Sequence, residues 1–251
     1  MITLQELYRY LNEILQVPAF ADFCTNGVQV EGNTSIRRIA TGVSASLETI
    51  QSAVEQEAQA LIVHHGLFWN RDSHVITGVK RKKIQLLLQN DISLLAYHLP
   101  LDAHQEFGNN WKAAKDMGWS NLQSFGNLNG MPIGVKGQFS PMSKESFKKK
   151  LEEYYQHPAH CALGGKEHVR SAALISGGAY KNIQDAINED IDCFITGNFD
   201  EPVWNQAFEE KINFFALGHS ATERIGPQAL GEHLSSRFKI PVSFIDSANP
   251  F

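Results

Sequence analysis

The stretch Ala60-Leu61-Ile62-Val63-His64-His65-Gly66 decides how the rest of the chain is read. Four apolar residues describe a buried strand, and polarity then switches at two adjacent histidines and a glycine. In an open α/β sheet, ligands bind beyond the carboxyl ends of the strands. An imidazole pair at such an end is a candidate metal site, and a strand running into an ordinary polar loop is the competing reading.

Working outward, Ile36 to Gly42 reads as a strand, and Ser46 to Ala58 as a helix with Leu47, Ile50, Ala53, Val54 and Ala58 on one face. With Leu61-Ile62-Val63 they form a strand–helix–strand crossover whose short connections favour parallel neighbours. Gly66 to Gly78 is irregular and holds Phe68 and Trp69. Arg81 to Asn90 is helical in pattern, and Ile92 to Tyr97 is a strand ending at His98. At the N-terminus, Leu4, Leu7, Leu11, Ile14 and Leu15 recur at helical spacing, with Thr3 as N-cap and Glu6 three residues on. Asp22 to Gly32 has little periodicity and reads as a loop around the Asn26-Gly27 turn signal.

Glycines 118, 126, 130, 134 and 137 mark a change of texture, which places a boundary near residue 125, followed by short strands and a helix over Lys144 to Tyr155. From Val169 the pattern repeats. Ala172-Ala173-Leu174-Ile175-Ser176-Gly177 answers the strand ending at Gly42, and Ile183 to Ile187 answers the helix after Ile50. Asp192 to Asn198 answers Gln59 to His65, and Ile212 to His219 answers the strand ending at His98. The expected architecture is α/β, with two related units from an internal duplication, 1–125 and 126–251. The segment from about 220 packs back on the first unit, and the metal site lies between the two. Val242 to Ile245 is a last strand, at an early or edge position because Pro241 precedes it.

A length of 251 residues suffices for a full core, and a formal charge of -5 gives no nucleic-acid footprint. The run Lys80-Arg81-Lys82-Lys83 is read as a solvated helix face, with steering of a phosphorylated ligand as the secondary reading. Three widely spaced cysteines, Cys24, Cys161 and Cys193, describe neither a disulfide framework nor a zinc knuckle. No signal peptide or apolar run of spanning length is visible, so a soluble cytoplasmic protein without membrane attachment is expected.

The repeat also places carboxylates. His98 is followed four residues later by Asp102, and His219 by Glu223. On one helical turn, residues four apart share a side. His64, His65, His219, Asp102 and Glu223 therefore offer nitrogen and oxygen donors for one or two divalent ions, more than one tetrahedral zinc requires. Two ions sharing them leave positions open for water, whose proton is then lost more readily than in bulk. His98 is assigned a catalytic duty, orienting a ligand or relaying a proton, with His104 a weaker candidate for the same. His157, His160 and His168 are read as surface or structural.

Several separated motifs then agree in order: Thr25 to Gly32, Val63-His64-His65-Gly66-Leu67-Phe68-Trp69, Tyr97 to His104 with Gly108-Asn109-Asn110, Phe194-Ile195-Thr196-Gly197, and Gly218 to Arg224. Together they resemble the Nif-three-like family of dinuclear-metal proteins, commonly labelled GTP cyclohydrolase 1 type 2 homologue, from the first helix to the C-terminus. The resemblance implies two related three-layer α/β sandwich units and a ring-shaped homohexamer built from dimers, with its metal sites facing an internal cavity. It also implies two divalent ions per subunit, iron, zinc, manganese or nickel, on His64, His65, Asp102, His219 and Glu223. The expected function is a dinuclear-metal-dependent hydrolase using metal-bound hydroxide on a nucleotide or related phosphorylated small molecule, in the manner of a GTP cyclohydrolase. A non-enzymatic metal-binding regulatory or scaffolding protein is the alternative. Nucleic acid is a disfavoured partner.

Overall fold

The computed structural model describes residues 1–251. The chain divides into two compact units, Met1–Leu101 with Gly226–Ala248, and Asp102–Ile225 with Asn249–Phe251. Both are α/β units built on mixed sheets.

The first unit holds a five-stranded sheet in the order Val242–Ile245, Ile39–Ser44, Ala60–His65, Ser93–Ala96, Gly27–Val30. The first four strands run parallel and Gly27–Val30 is antiparallel. Val242–Ile245 lies at the edge, where Pro241 costs no ladder hydrogen bond. Ala60 to His64 and all of Ser93–Ala96 are buried, as in parallel strands covered on both faces. Their apolar runs are therefore continuous rather than alternating. The helix Leu4–Ile14 starts in the capping box expected of Thr3 and Glu6 and buries Leu4, Leu7 and Leu11. Leu47–Glu55 starts on Ser46, whose hydroxyl accepts the Thr49 N–H.

Gly27–Val30 was expected as loop and is a strand. Its pairing with Ser93–Ala96 shifts register between Val28 and Val30, which breaks the two-residue alternation that would have revealed it. Gly27 also sits at φ 99°, where a Cβ would lie 2.9 Å from the Tyr8 ring.

The second unit's sheet runs Ser120–Leu128, Met131–Ser143, His168–Leu174, Cys193–Thr196, Asn213–Ala216, His160–Leu163. The three strands from His168 to Ala216 are parallel, and the strands flanking them are antiparallel. The boundary expected near residue 125 falls inside the strand Ser120–Leu128, and long strands replace the short ones expected after it. Most glycines there mark close approach rather than chain reversal. A Cβ on Gly134 would lie 2.5 Å from both Ile175 Cγ1 and Leu174 O. Only Asn129-Gly130, both at positive φ, makes the hairpin turn. Phe147 packs between Phe139 and Phe215 in the core on one side of this sheet.

The two sheets repeat one topology. Each has three adjacent parallel strands, and in each the antiparallel strand preceding them in sequence pairs with the last, Gly27–Val30 with Ser93–Ala96 and His160–Leu163 with Asn213–Ala216. In both units the chain leaves the carboxyl ends of these strands at His64-His65, His98, Ser176-Gly177, Gly197 and Gly218-His219. No helix is long and apolar enough to cross a membrane.

Candidate metal-binding clusters

In the first unit, His64 and His65 end the strand Ala60–His65, and His98 follows the neighbouring strand by one residue beyond Tyr97. Because adjacent strands are in parallel register, their ends coincide, and the three rings gather. Centroids lie 4.7 Å apart for His64 and His65, 5.0 Å for His64 and His98, and 5.7 Å for His65 and His98. One ring nitrogen from each falls within 4.8 Å of the others.

Each ring is turned the same way. His64 Nδ1 lies 3.1 Å from the Tyr97 carbonyl, which can only accept, so Nδ1 carries the proton and Nε2 the lone pair. His98 Nδ1 lies 2.7 Å from Asp22 Oδ1 with the same consequence, and His65 Nδ1 is 3.0 Å from the Ser44 hydroxyl. An imidazole whose Nδ1–H is held by a protein acceptor, with Nε2 presented, is the arrangement of a metal-ligating histidine. Trp69 lies beside the cluster, its ring 5.0 Å from His98 and its Nε1–H donated to Gly66 O.

Asp22 anchors this group. Besides His98, its carboxylate accepts the Cys24 and Leu99 N–H groups and the Asn26 amide. Burial pushes the carboxyl up, but the bonds from His98, Asn26 and Cys24 outweigh it and hold it down at about 2. Asn26 in turn accepts the His98 N–H through Oδ1 at 2.8 Å. Neither residue is singled out by spacing, since Asp22 lies 76 positions from His98. The Asn26-Gly27 turn signal was the only local hint.

In the second unit, His219 and Glu223 occupy the short helix His219–Glu223, one turn apart as their spacing predicts, with His219 Nε2 3.3 Å from Glu223 Oε1. His219 Nδ1 lies 3.2 Å from Asn198 Oδ1, so this ring too presents Nε2. Glu223 is buried. The Ser176-Gly177 turn closes over the pair, with Gly177 at φ 67°. A Cβ there would lie 2.2 Å from Glu223 Oε1 and 3.2 Å from His219 Nε2. Only glycine meets both the conformation and the space. Thr222 holds the turn in place, accepting the Gly177 N–H at 3.0 Å.

Asp102 sits on the other side of that turn. Its Oδ1 accepts the Ser176 hydroxyl at 2.9 Å and the Asn109 amide at 2.8 Å, and Asn110 accepts the Ser176 N–H at 2.7 Å. Asn109 and Asn110 are fully buried, so their polar groups serve this network rather than solvent. Ser176, Asn109 and Gly177 lie in motifs legible in the sequence, but their support of Asp102 and Glu223 was not foreseen. His104 belongs to neither group. Its ring stacks on Phe107 at 3.7 Å, and Nδ1 accepts the Glu106 and Phe107 N–H groups.

Two groups of side chains could each hold a metal ion, one of three histidines and one of histidines with a carboxylate. Four imidazoles with Nδ1 held and Nε2 presented fit a divalent ion. So do two carboxylates buried at a desolvation cost that a cation offsets.

Residues 2–250 match the model of the Duf34/NIF3 (NGG1p interacting factor 3) family. Curated relatives named GTP cyclohydrolase 1 type 2 homolog are 51% identical over 249 residues in Chlamydia pneumoniae and 41% over 248 residues in Yersinia pestis. Each alignment covers 98% of both chains. Among solved structures, protein ybgI, of unknown function, superposes with TM-score 0.93 at 38% identity, covering 100% of both chains. TTHA1606 from Thermus thermophilus does so with TM-score 0.92 at 34% identity and the same coverage.

Proposed function

The chain belongs to the Duf34/NIF3 family, and from that premise we propose that it is a dinuclear-metal-dependent hydrolase acting on a nucleotide or a related phosphorylated small molecule. His64, His65, Asp102, His219 and Glu223 are the proposed ligands of two divalent ions. The observation that carries the reading is the common orientation of the imidazoles, with Nδ1 of His64, His65, His98 and His219 each against a protein partner. The mixed nitrogen and oxygen set suits iron, zinc, manganese or nickel. When bound, such ions supply Lewis acidity and make a coordinated water a nucleophile near neutral pH.

The chain's own groups do the rest. Tyr97 O, Ser44 and Asn198 hold the ligand rings in one orientation, so little is lost to reorganisation when an ion binds. His98, with Nδ1–H held by Asp22, takes or gives a proton at Nε2, and the Asp22 carboxylate stabilises the imidazolium that forms. The Trp69 ring shields one side of His98 and His65. Within this class the relatives' printed name supports hydrolytic opening of a guanine imidazole ring, with water adding at C8 and a ring C–N bond breaking. The proposal includes a homohexameric ring, supported by the family resemblance. It also includes a cytoplasmic setting, with which three unbridged thiols agree.

The test is turnover by protein loaded in turn with each of the four metals, on a panel of nucleotides and phosphorylated metabolites, beside His64→Ala and Glu223→Ala. Expected is a metal-dependent turnover that falls in both variants together with bound metal. If no metal supports turnover of any panel member and chelation breaks up the assembly, the protein is instead a metal-dependent scaffold.

A further inference from the structure

The short helix His219–Glu223 carries two of the proposed metal ligands, and its start lacks a side-chain cap. Its N-cap is Gly218, which has no side chain to accept an orphan N–H. A helix of five residues also has too few internal hydrogen bonds to hold its own geometry. The Ser220 N–H is instead donated to Phe251 O at 2.7 Å. That acceptor belongs to the segment Asn249–Phe251, which falls in the second unit together with the helix. The segment is exposed and turns on itself, the Phe251 N–H being donated to Asn249 Oδ1 at 3.1 Å.

His157 holds that segment. Its Nε2 lies 2.9 Å from Pro250 O and its Nδ1 2.7 Å from Pro158 O. Both partners are carbonyls, which only accept, so the ring serves as donor. It stands where a side chain on Gly218 would be: a Cβ there, at φ 86°, would lie 2.8 Å from His157 Nε2. His157 follows the helix Lys144–Tyr155, where Gln156 takes φ 51° and Glu152 Oε1 accepts the Ala159 N–H at 2.9 Å. The same helix end reaches the other end of the ligand helix. Arg224, the C-cap of His219–Glu223, donates through Nη2 to Tyr155 O at 2.6 Å. Residues 155–157 therefore secure the ligand helix directly at its C-terminal end and, through Pro250 and Phe251, at its N-terminal end.

We infer that His157 is a positioning residue for metal binding: it holds Asn249–Phe251 against the start of His219–Glu223, which keeps His219 and Glu223 in place. With the helix start capped, His219 Nε2 and Glu223 Oε1 stay 3.3 Å apart before an ion arrives. Without the cap the short helix frays, and ordering it then opposes metal binding. The inference rests on the proposed metal reading and adds residues which that reading does not use. Sequence pattern assigns His157 only a surface or structural place, because its partner Pro250 lies 93 positions away.

The test measures zinc affinity by chelator competition, and amide hydrogen exchange over residues 218–223 in metal-free protein. The proteins are wild type, His157→Gln, His157→Asn, a chain stopped after Ala248, and Glu223→Ala. A glutamine amide can donate from the position of Nε2, toward Pro250 O, whereas an asparagine amide reaches only the position of Nδ1. In His157→Asn and the shortened chain, zinc affinity is expected to fall roughly tenfold and exchange at Ser220 to quicken. His157→Gln is expected to stay near wild type in both. Unchanged affinity in His157→Asn and the shortened chain, while Glu223→Ala loses zinc, overturns the positioning role and leaves the metal reading standing. So does an equal loss in His157→Gln and His157→Asn, because the ring would then act by packing alone. A wild-type chain that binds no zinc overturns both.

Discussion

Replacing Asp22 with asparagine keeps the shape of the side chain and removes the charge that holds His98. The carboxyl lies at about 2 in the folded protein against an ordinary 3.8, so its ionised form is favoured by folding. At about 1.36 kcal/mol per pH unit the difference corresponds to about 2 kcal/mol. Allowing for partial access of solvent to the loop leaves about 1–2 kcal/mol. A depressed carboxyl contributes stability that is fully present above the unfolded value and lost as pH falls through the folded one. The contribution is thus complete above about pH 5, about half gone at pH 3, and absent below about pH 2. Urea unfolding of metal-free wild type and Asp22→Asn, at pH 6 and pH 3, reads the difference directly. The variant is expected to be less stable by about 1–2 kcal/mol at pH 6 and by about half that at pH 3. A gap of the same size at both pH values would refute the reasoning, because the residue would then act through shape alone. With the His98 anchor weakened, turnover is expected to fall more than metal content, the reverse of the outcome at a ligand.

Three further substitutions address the supports of the clusters and the fold. Gly177→Ala forces a side chain into positive φ, costing about 1–2 kcal/mol, and drives a methyl group against Glu223 and His219. Both the unfolding midpoint of metal-free protein and the metal content after dialysis should drop, and retention of full metal would argue against the Glu223 assignment. Ser176→Ala removes the hydroxyl that donates to Asp102 Oδ1 at 2.9 Å. Its metal affinity in chelator competition should fall roughly 10–100-fold with little change in metal-free stability. Thr3→Ala removes the hydroxyl that accepts the Glu6 N–H at 3.1 Å. About 1 kcal/mol of stability should be lost in denaturant unfolding, with metal content untouched.

The elements and the side chains that could hold a metal were legible in the sequence because both are written in local patterns. Apolar runs such as Leu61-Ile62-Val63 and Phe214-Phe215-Ala216 mark buried parallel strands, and polarity breaks at their ends mark where a site is built. The spacing from His219 to Glu223 places both side chains on one helical turn, whatever the rest of the chain does. Local patterns also showed the repeat, down to Pro241 at the edge of the first sheet.

Only the tertiary structure decided what holds those donors. Asp22 reaches His98 across 76 residues and Ser176 reaches Asp102 across 74, and no periodicity links such pairs. Gly27–Val30 became a strand because its neighbour Ser93–Ala96 offered an open edge, despite a bulge that hides the alternation. Gly177 is required by a carboxylate that arrives from the far end of the same unit. Hydrophobic burial is proportional to area and follows composition, so it can be read along the chain. A hydrogen bond depends on where two particular atoms meet, and that is settled only when the chain has folded.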